Sequence, residues 1–153
     1  MRRLISALGA FSLLLTASVS FGDSAEERAE EATETRQGAL KVVRHYFGPV
    51  YGMARQQIPY DSAVVAANAQ HMAALLSMLP DLFRADTSDE DVDTEALEDI
   101  WEDMDDFTAK AEAAAAKARA LADAAGDQGA AMSAFRELGG ACKACHDDYR
   151  EQD

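Results

Sequence analysis

Cys142-Lys143-Ala144-Cys145-His146 constrains this chain more than any other stretch of it. C-x-x-C-H is the attachment signature of a covalent c-type haem. Two thiols three apart on a helix point the same way, so both can reach the two vinyl groups of one porphyrin and form thioethers. The adjacent histidine can then turn its imidazole onto the iron. Position matters as much as the motif. Asp147 to Asp153 follow it, so a second axial ligand or a distal pocket is expected from upstream.

A C-x-x-C also serves thioredoxin-like redox pairs, simple disulfides and halves of zinc sites. A Cys2His2 zinc site would need His146 with His45 or His71, neither at finger spacing. A thioredoxin-like motif sits near the front of a βαβ unit, and no strand pattern precedes these cysteines. Haem is therefore the reading adopted: one haem c, covalently bound, with Cys142 and Cys145 holding the porphyrin and His146 as the metal ligand.

The N-terminus supports this from a different direction. Met1-Arg2-Arg3 is a short basic region, Leu4 to Val19 is apolar, and Ser20-Phe21-Gly22 places small residues before Asp23. That is the pattern of a cleaved secretory signal. It is short for a membrane span, and acidic sequence follows it directly. The reading is a signal peptide over residues 1–22 and one domain over 23–153, periplasmic, without stable membrane association. The formal charge is −14. Residues 1–22 carry Arg2 and Arg3 and no acid, so the remaining chain is at −14 − 2 = −16. Nucleic acid is excluded as a partner for such a surface.

Alanine is abundant and β-branched residues are sparse, which favours helix. Four helical segments can be read. The first runs from about Ala25 to Met53, with Leu40, Val43, Phe47 and Val50 in one stripe and Gly48-Pro49 as a site for a kink or break. The second starts at Asp61 or Ser62 and reaches Leu79, where Pro80 stops it. Asn68 interrupts its apolar stripe and is expected at an edge or with a hydrogen-bond partner. The stretch from Asp81 to Asp93 holds six acids and reads as a solvated surface loop without a function. Thr94 is expected to cap the third segment, which continues to about Ala125. Gly126 ends it, Asp127 caps the fourth, and that helix runs to about Tyr149. The fold class is all-α: an antiparallel four-helix bundle carrying the haem.

Three stretches resemble the cytochrome c prime family: Arg36-Gln37-Gly38-Ala39-Leu40, Ile100-Trp101-Glu102-Asp103, and Gly139 through Arg150 almost residue for residue. The similarity spans roughly Glu30 to Arg150. It implies a single haem c inside the bundle, with iron usually five-coordinate and high-spin. It further implies a homodimer through the first two helices, and binding of nitric oxide and carbon monoxide in nitric oxide tolerance, or periplasmic electron transfer.

The resemblance also suggests residue roles. Arg36 and Gln37 would donate to the haem propionates, a sensible use of a guanidinium. Leu40 would lie over the distal face, where low-spin relatives place a methionine; leucine has no lone pair for iron and keeps the site open. Arg150, four after His146 and so on the same face of a continuing helix, would line a proximal pocket able to receive nitric oxide. Met53, Met72, Met78 and Met104 are ligands by residue type but read as core. His45 and His71 read as surface histidines. No distal acid–base group is evident, so a peroxidase-like enzyme is not the reading. The acidic surface suits a basic periplasmic redox partner whose association weakens with salt.

Overall fold

Ser24 opens the first helix with a reciprocal cap. Its hydroxyl accepts from the Glu27 amide at 3.1 Å and its amide donates to Glu27 Oε2 at 2.7 Å. That satisfies donors which a helix start leaves unpaired. In the computed structural model, which describes residues 24–152, this helix, α1, spans Ala25–Ala54. The expected signal peptide lies outside the described residues. Pro49 sits inside α1 without ending it. The lost amide donor is borne by a turn whose Val50 and Met53 are anchored in the core.

The end of α1 follows a Schellman pattern. The Gln56 amide donates to Met53 O at 3.0 Å and the Gln57 amide to Gly52 O at 2.9 Å. This geometry needs a left-handed residue, usually glycine, just past the cap. Gln56 fills that place with φ of 57°.

Asp61 caps α2, Ser62–Ser77, by accepting from the Ala63 and Val64 amides. The sequence reading stops this helix at Pro80. In the structure it stops at Met78, and Pro80 helps to begin a short turn, α3, Leu79–Leu82. Proline is tolerated there because a first-turn N–H has no intrahelical acceptor. Asn68 finds the partner expected of it, donating to Tyr46 O at 3.0 Å.

The third segment departs most from expectation. The Thr94 hydroxyl accepts from the Ala96 amide at 3.1 Å and caps no helix. Helix instead comes in two pieces, α4 (Asp99–Glu102) and α5 (Met104–Ala124), divided at Asp103. The Asp103 carboxylate accepts from the Asp106 amide at 3.1 Å. A short acidic side chain that bonds the backbone ahead of it favours a fresh start over continuation. Asp127 caps α6, Gln128–Tyr149, as the sequence indicates.

The long helices α1, α2, α5 and α6 make the expected antiparallel four-helix bundle, with α1 on α2, α2 on α5 and α5 on α6. Small residues bring α5 close to both neighbours: Ala111, Ala114, Ala115 and Ala118 are each at most 4% exposed. Val50, Val65, Met72, Leu121 and Leu138 fill the centre. Met53 shares that core, whereas Met78 is exposed. At the far end the Tyr60 hydroxyl donates to Ala125 O at 2.6 Å, tying the α1–α2 connection to the α5–α6 turn.

Gln56→Gly should raise the unfolding free energy by up to about 1 kcal/mol, because a left-handed β-carbon is relieved at an exposed position. A denaturation midpoint that falls instead would show that contacts of the glutamine outweigh its backbone strain.

Candidate haem-binding site

The terminal helix presents its motif to a cleft of about 350 Å³ whose walls include Phe47 of α1, Gly139, Cys142 and His146 of α6, and the tail from Arg150 to Gln152. Cys142 and Cys145 are half-buried and neither is in a disulfide. Burial pushes both thiols up, that of Cys145 to about 11 with the Cys142 sulfur adding to the effect. A redox-active C-x-x-C works through a lowered thiol pKa. These thiols are shifted the opposite way. The His146 imidazole is held below its ordinary value, first by loss of solvent around it and then by the positive charge of Arg150. Both effects favour the neutral imidazole, the form that ligates a metal.

Across the cleft, α1 is buried at both ends and open in the middle. Ala29, Thr33 and Arg36 are buried, as are Val50 and Met53. Between them Leu40 is 40% exposed, while Val43 and Phe47 are only partly covered; of these Phe47 alone is in the cleft wall, and Leu40, like Cys145, is not. This stretch is the middle of the apolar stripe read from the sequence. On the α6 side, a β-carbon added at Gly139 or Gly140 would meet nothing within 4 Å. Two consecutive glycines weaken a helix by roughly 1 kcal/mol each relative to alanine, and no protein atom here requires them. An open apolar stripe, two glycines facing space, paired protonated thiols and a neutral imidazole together fit a covalent haem.

Arg36 and Gln37 are not in the wall of this cleft. The Arg36 side chain is 4% exposed, with its guanidinium over the Phe83 ring (4.8 Å) and the Trp101 ring (5.4 Å). It donates to Leu82 O (2.9 Å), Thr87 Oγ1 (2.8 Å) and Ala85 O. Gln37 Nε2 donates to Asp93 O at 2.9 Å, and Trp101 Nε1 to Phe83 O at 2.8 Å. The acidic stretch is thus not a loose solvated loop. Its carbonyls and the buried Thr87 turn inward onto Arg36 while its carboxylates face water. Loss of solvent pulls the Arg36 pKa down and Asp86 partly restores it.

Arg150 also differs from expectation. The helix ends at Tyr149, and Arg150 is its C-cap in extended backbone, φ −132° and ψ 139°. Arg150 therefore stands beside His146 at the helix end, where its amide still donates to His146 O at 3.2 Å, while its extended backbone turns the chain away from the helical path. Its backbone pairs with Ala96, the one isolated β-bridge among the described residues. Its Nε and Nη2 both lie 2.6 Å from Glu95 Oε2. Behind the motif, the Tyr149 hydroxyl donates to Asp106 at 2.7 Å, and Lys110 bridges Asp106 and Asp148. Glu95, Thr87, Asp106 and Lys110 were not singled out from the sequence. Only the i,i+4 spacing of Asp106 and Lys110 could have pointed to one of these pairs.

A sequence model of the cytochrome c' family matches residues 31–150. The chain belongs to the cytochrome c' family. Two relatives from Cereibacter sphaeroides are a cytochrome c', 41% identical over 80% of this chain and 84% of the relative, and a cytochrome c-554, 40% identical over 81% and 83%. A solved nitric oxide complex of a leucine-to-alanine mutant of cytochrome c prime from Alcaligenes xylosoxidans superposes with a TM-score of 0.73. It is 31% identical over 82% of this chain and 97% of its own. Proteins of the cytochrome c' family carry covalently attached haem c, and Cys142 and Cys145 fit that attachment.

Arg36→Ala should destabilise the bundle by about 2–4 kcal/mol, since it strands buried carbonyl and hydroxyl acceptors. Hydrogen exchange should accelerate over residues 83–93 well before the rest of the chain. Unchanged exchange in that segment would mean that the loop holds itself.

Proposed function

We propose that this is an exported, periplasmic haem c protein whose iron stays five-coordinate and high-spin and takes nitric oxide and carbon monoxide, in nitric oxide tolerance. One observation carries the reading: Phe47, the α1 side chain in the cleft wall, is apolar with no atom able to ligate iron, and Leu40, two turns earlier on the same stripe, is exposed and equally without a ligating atom. Met53 and Met72 are taken up by the core.

Bound haem supplies an iron centre with one position available to a diatomic gas. The chain's own residues do the rest. Cys142 and Cys145 would hold the porphyrin through thioethers and His146 would ligate the iron. Leu40 would cover the gas site without a hydrogen-bond donor, which would give no help to polarised bound oxygen and leave nitric oxide acceptable. Arg36 keeps two of its five N–H donors beyond those used on the loop; with Gln37, these would receive the propionates. Arg150, beside His146, would stabilise nitric oxide on that side. The wall opposite His146 holds no acid–base group of the kind a peroxidase needs, so no enzymatic turnover is proposed.

Val42, on the side of α1 away from Leu40 and Phe47, leaves exposed apolar surface for a homodimer through α1 and α2. The second reading, periplasmic electron transfer, is favoured by the carboxylates grouped around Tyr149: Asp99, Glu102, Asp103, Asp106, Asp147 and Asp148. They would meet a basic redox partner, with a rate that falls as salt rises.

Haem should stay with the denatured protein after acid–acetone extraction; colour that extracts freely refutes covalent attachment by Cys142 and Cys145. In Leu40→Ala, carbon monoxide should bind the ferrous protein at least about tenfold faster. That corresponds to removing roughly 1.4 kcal/mol of steric cost. An unchanged association rate would take Leu40 out of the gas path.

A further inference from the structure

A long side chain anchored in extended backbone past a helix end has no helical rotamer to hold it, so something else must fix Arg150 in the cleft wall. The holder is 55 residues away in sequence. The Glu95 carboxylate receives the Nε and Nη2 edge of the guanidinium on a single oxygen, both at 2.6 Å. A short backbone clip keeps the carboxylate in reach: the Leu97 amide donates to Tyr149 O at 3.1 Å and the Glu151 amide to Glu95 O at 2.9 Å. The clip joins the motif itself, because the Arg150 amide (3.2 Å) and Gln152 Nε2 (2.9 Å) both donate to His146 O. Glu95 is not in the wall of the cleft; it grips Arg150 from outside it.

We propose that Glu95 is a positioning residue, which holds the Arg150 guanidinium in the cleft wall beside His146 and thereby sets how long nitric oxide stays on that side. The inference rests on the role given to Arg150 above and goes beyond it by naming what makes that role possible. A charge-assisted hydrogen bond from Nε, with Nη2 in ion-pair range of the same oxygen, fixes the direction of a guanidinium as well as its place. With the carboxylate gone, Arg150 would sample other rotamers and meet the gas for a smaller share of the time.

The test is a double-mutant cycle on the haem-loaded protein with Glu95→Gln, Arg150→Ala and the pair together. Two quantities are measured: nitric oxide dissociation from the ferrous protein, and exchange of the Leu97 and Glu151 amides. Glu95→Gln should speed nitric oxide loss by about two- to fivefold, the scale of one partly exposed ion pair. In the Arg150→Ala background it should add nothing, because the carboxylate acts only through the guanidinium. The two amides should keep their protection in Glu95→Gln, since the backbone clip does not need the charge. Additive rate effects, or loss of amide protection equal in both backgrounds, would make Glu95 a merely structural residue and overturn the proposal. An effect of Arg150→Ala without any of Glu95→Gln overturns it while sparing the role of Arg150. No effect of Arg150→Ala overturns both.

Discussion

The Arg36 guanidinium, sealed between the Phe83 and Trp101 rings and bonded to the loop beneath α1, is the contact from which the surroundings of the motif are built. A buried cation is costly unless its donors are met, and here the acceptors are backbone carbonyls and the Thr87 hydroxyl. That requirement fixes the path of a segment with no regular structure of its own. The same segment, once fixed, delivers Asp93 to Gln37 and Glu95 to Arg150. One buried charge on the first helix thus determines what stands next to the last one.

It also explains why a cleft exists between α1 and α6. Near its start α1 is tied down through Arg36, and near its end Val50 and Met53 are sunk in the core. Leu40 and Phe47 are seven positions apart, about 10 Å of helix, and over that span α1 is stiff enough to bridge without collapsing. Phe47 marks the edge of the gap, with its ring 4.7 Å from that of Phe135. A helix anchored only once could tilt onto α6 and bury its apolar stripe; one anchored at both ends cannot.

How much of this was legible depended on whether the controlling interaction is local. Helix starts at Asp61 and Asp127 were, because a cap is read within three residues, and so was the haem motif, which is five consecutive residues. The apolar stripe of α1 was legible as a stripe, but periodicity cannot say whether a neighbouring helix or a cofactor covers it. The division at Asp103 was missed because apolar spacing runs on across it and the competing carboxylate is a weak local signal. The acidic loop was misread for a different reason. Its carboxylates did face water as their charge suggests, but its backbone was committed inward to an arginine 46 to 51 residues earlier. Arg150 was placed next to His146 by a helical argument; the proximity is present, but the helix has ended and a backbone pairing with Ala96 supplies the direction.

The two sides of the cleft are held by different neighbours. Behind the motif, α6 is fixed to α5 by the alanine-lined contact, by the Tyr149 ring set edge-on to Phe107 at 5.4 Å, and by Lys110 between Asp106 and Asp148. The Tyr149 hydroxyl completes that group by donating to Asp106, whose carboxyl is drawn below the usual range by Lys110 first and by this bond second. Cys142, Cys145 and His146 therefore stand on a rigid wall. The facing stretch of α1 is held from α2 instead: Tyr46 O accepts from Asn68 Nδ2 at 3.0 Å and the Tyr46 ring stacks on His71 at 4.5 Å. A molecule entering the cleft meets α6 on one side and Phe47 of α1 on the other, so the groups attached to α6 set what it meets beside His146.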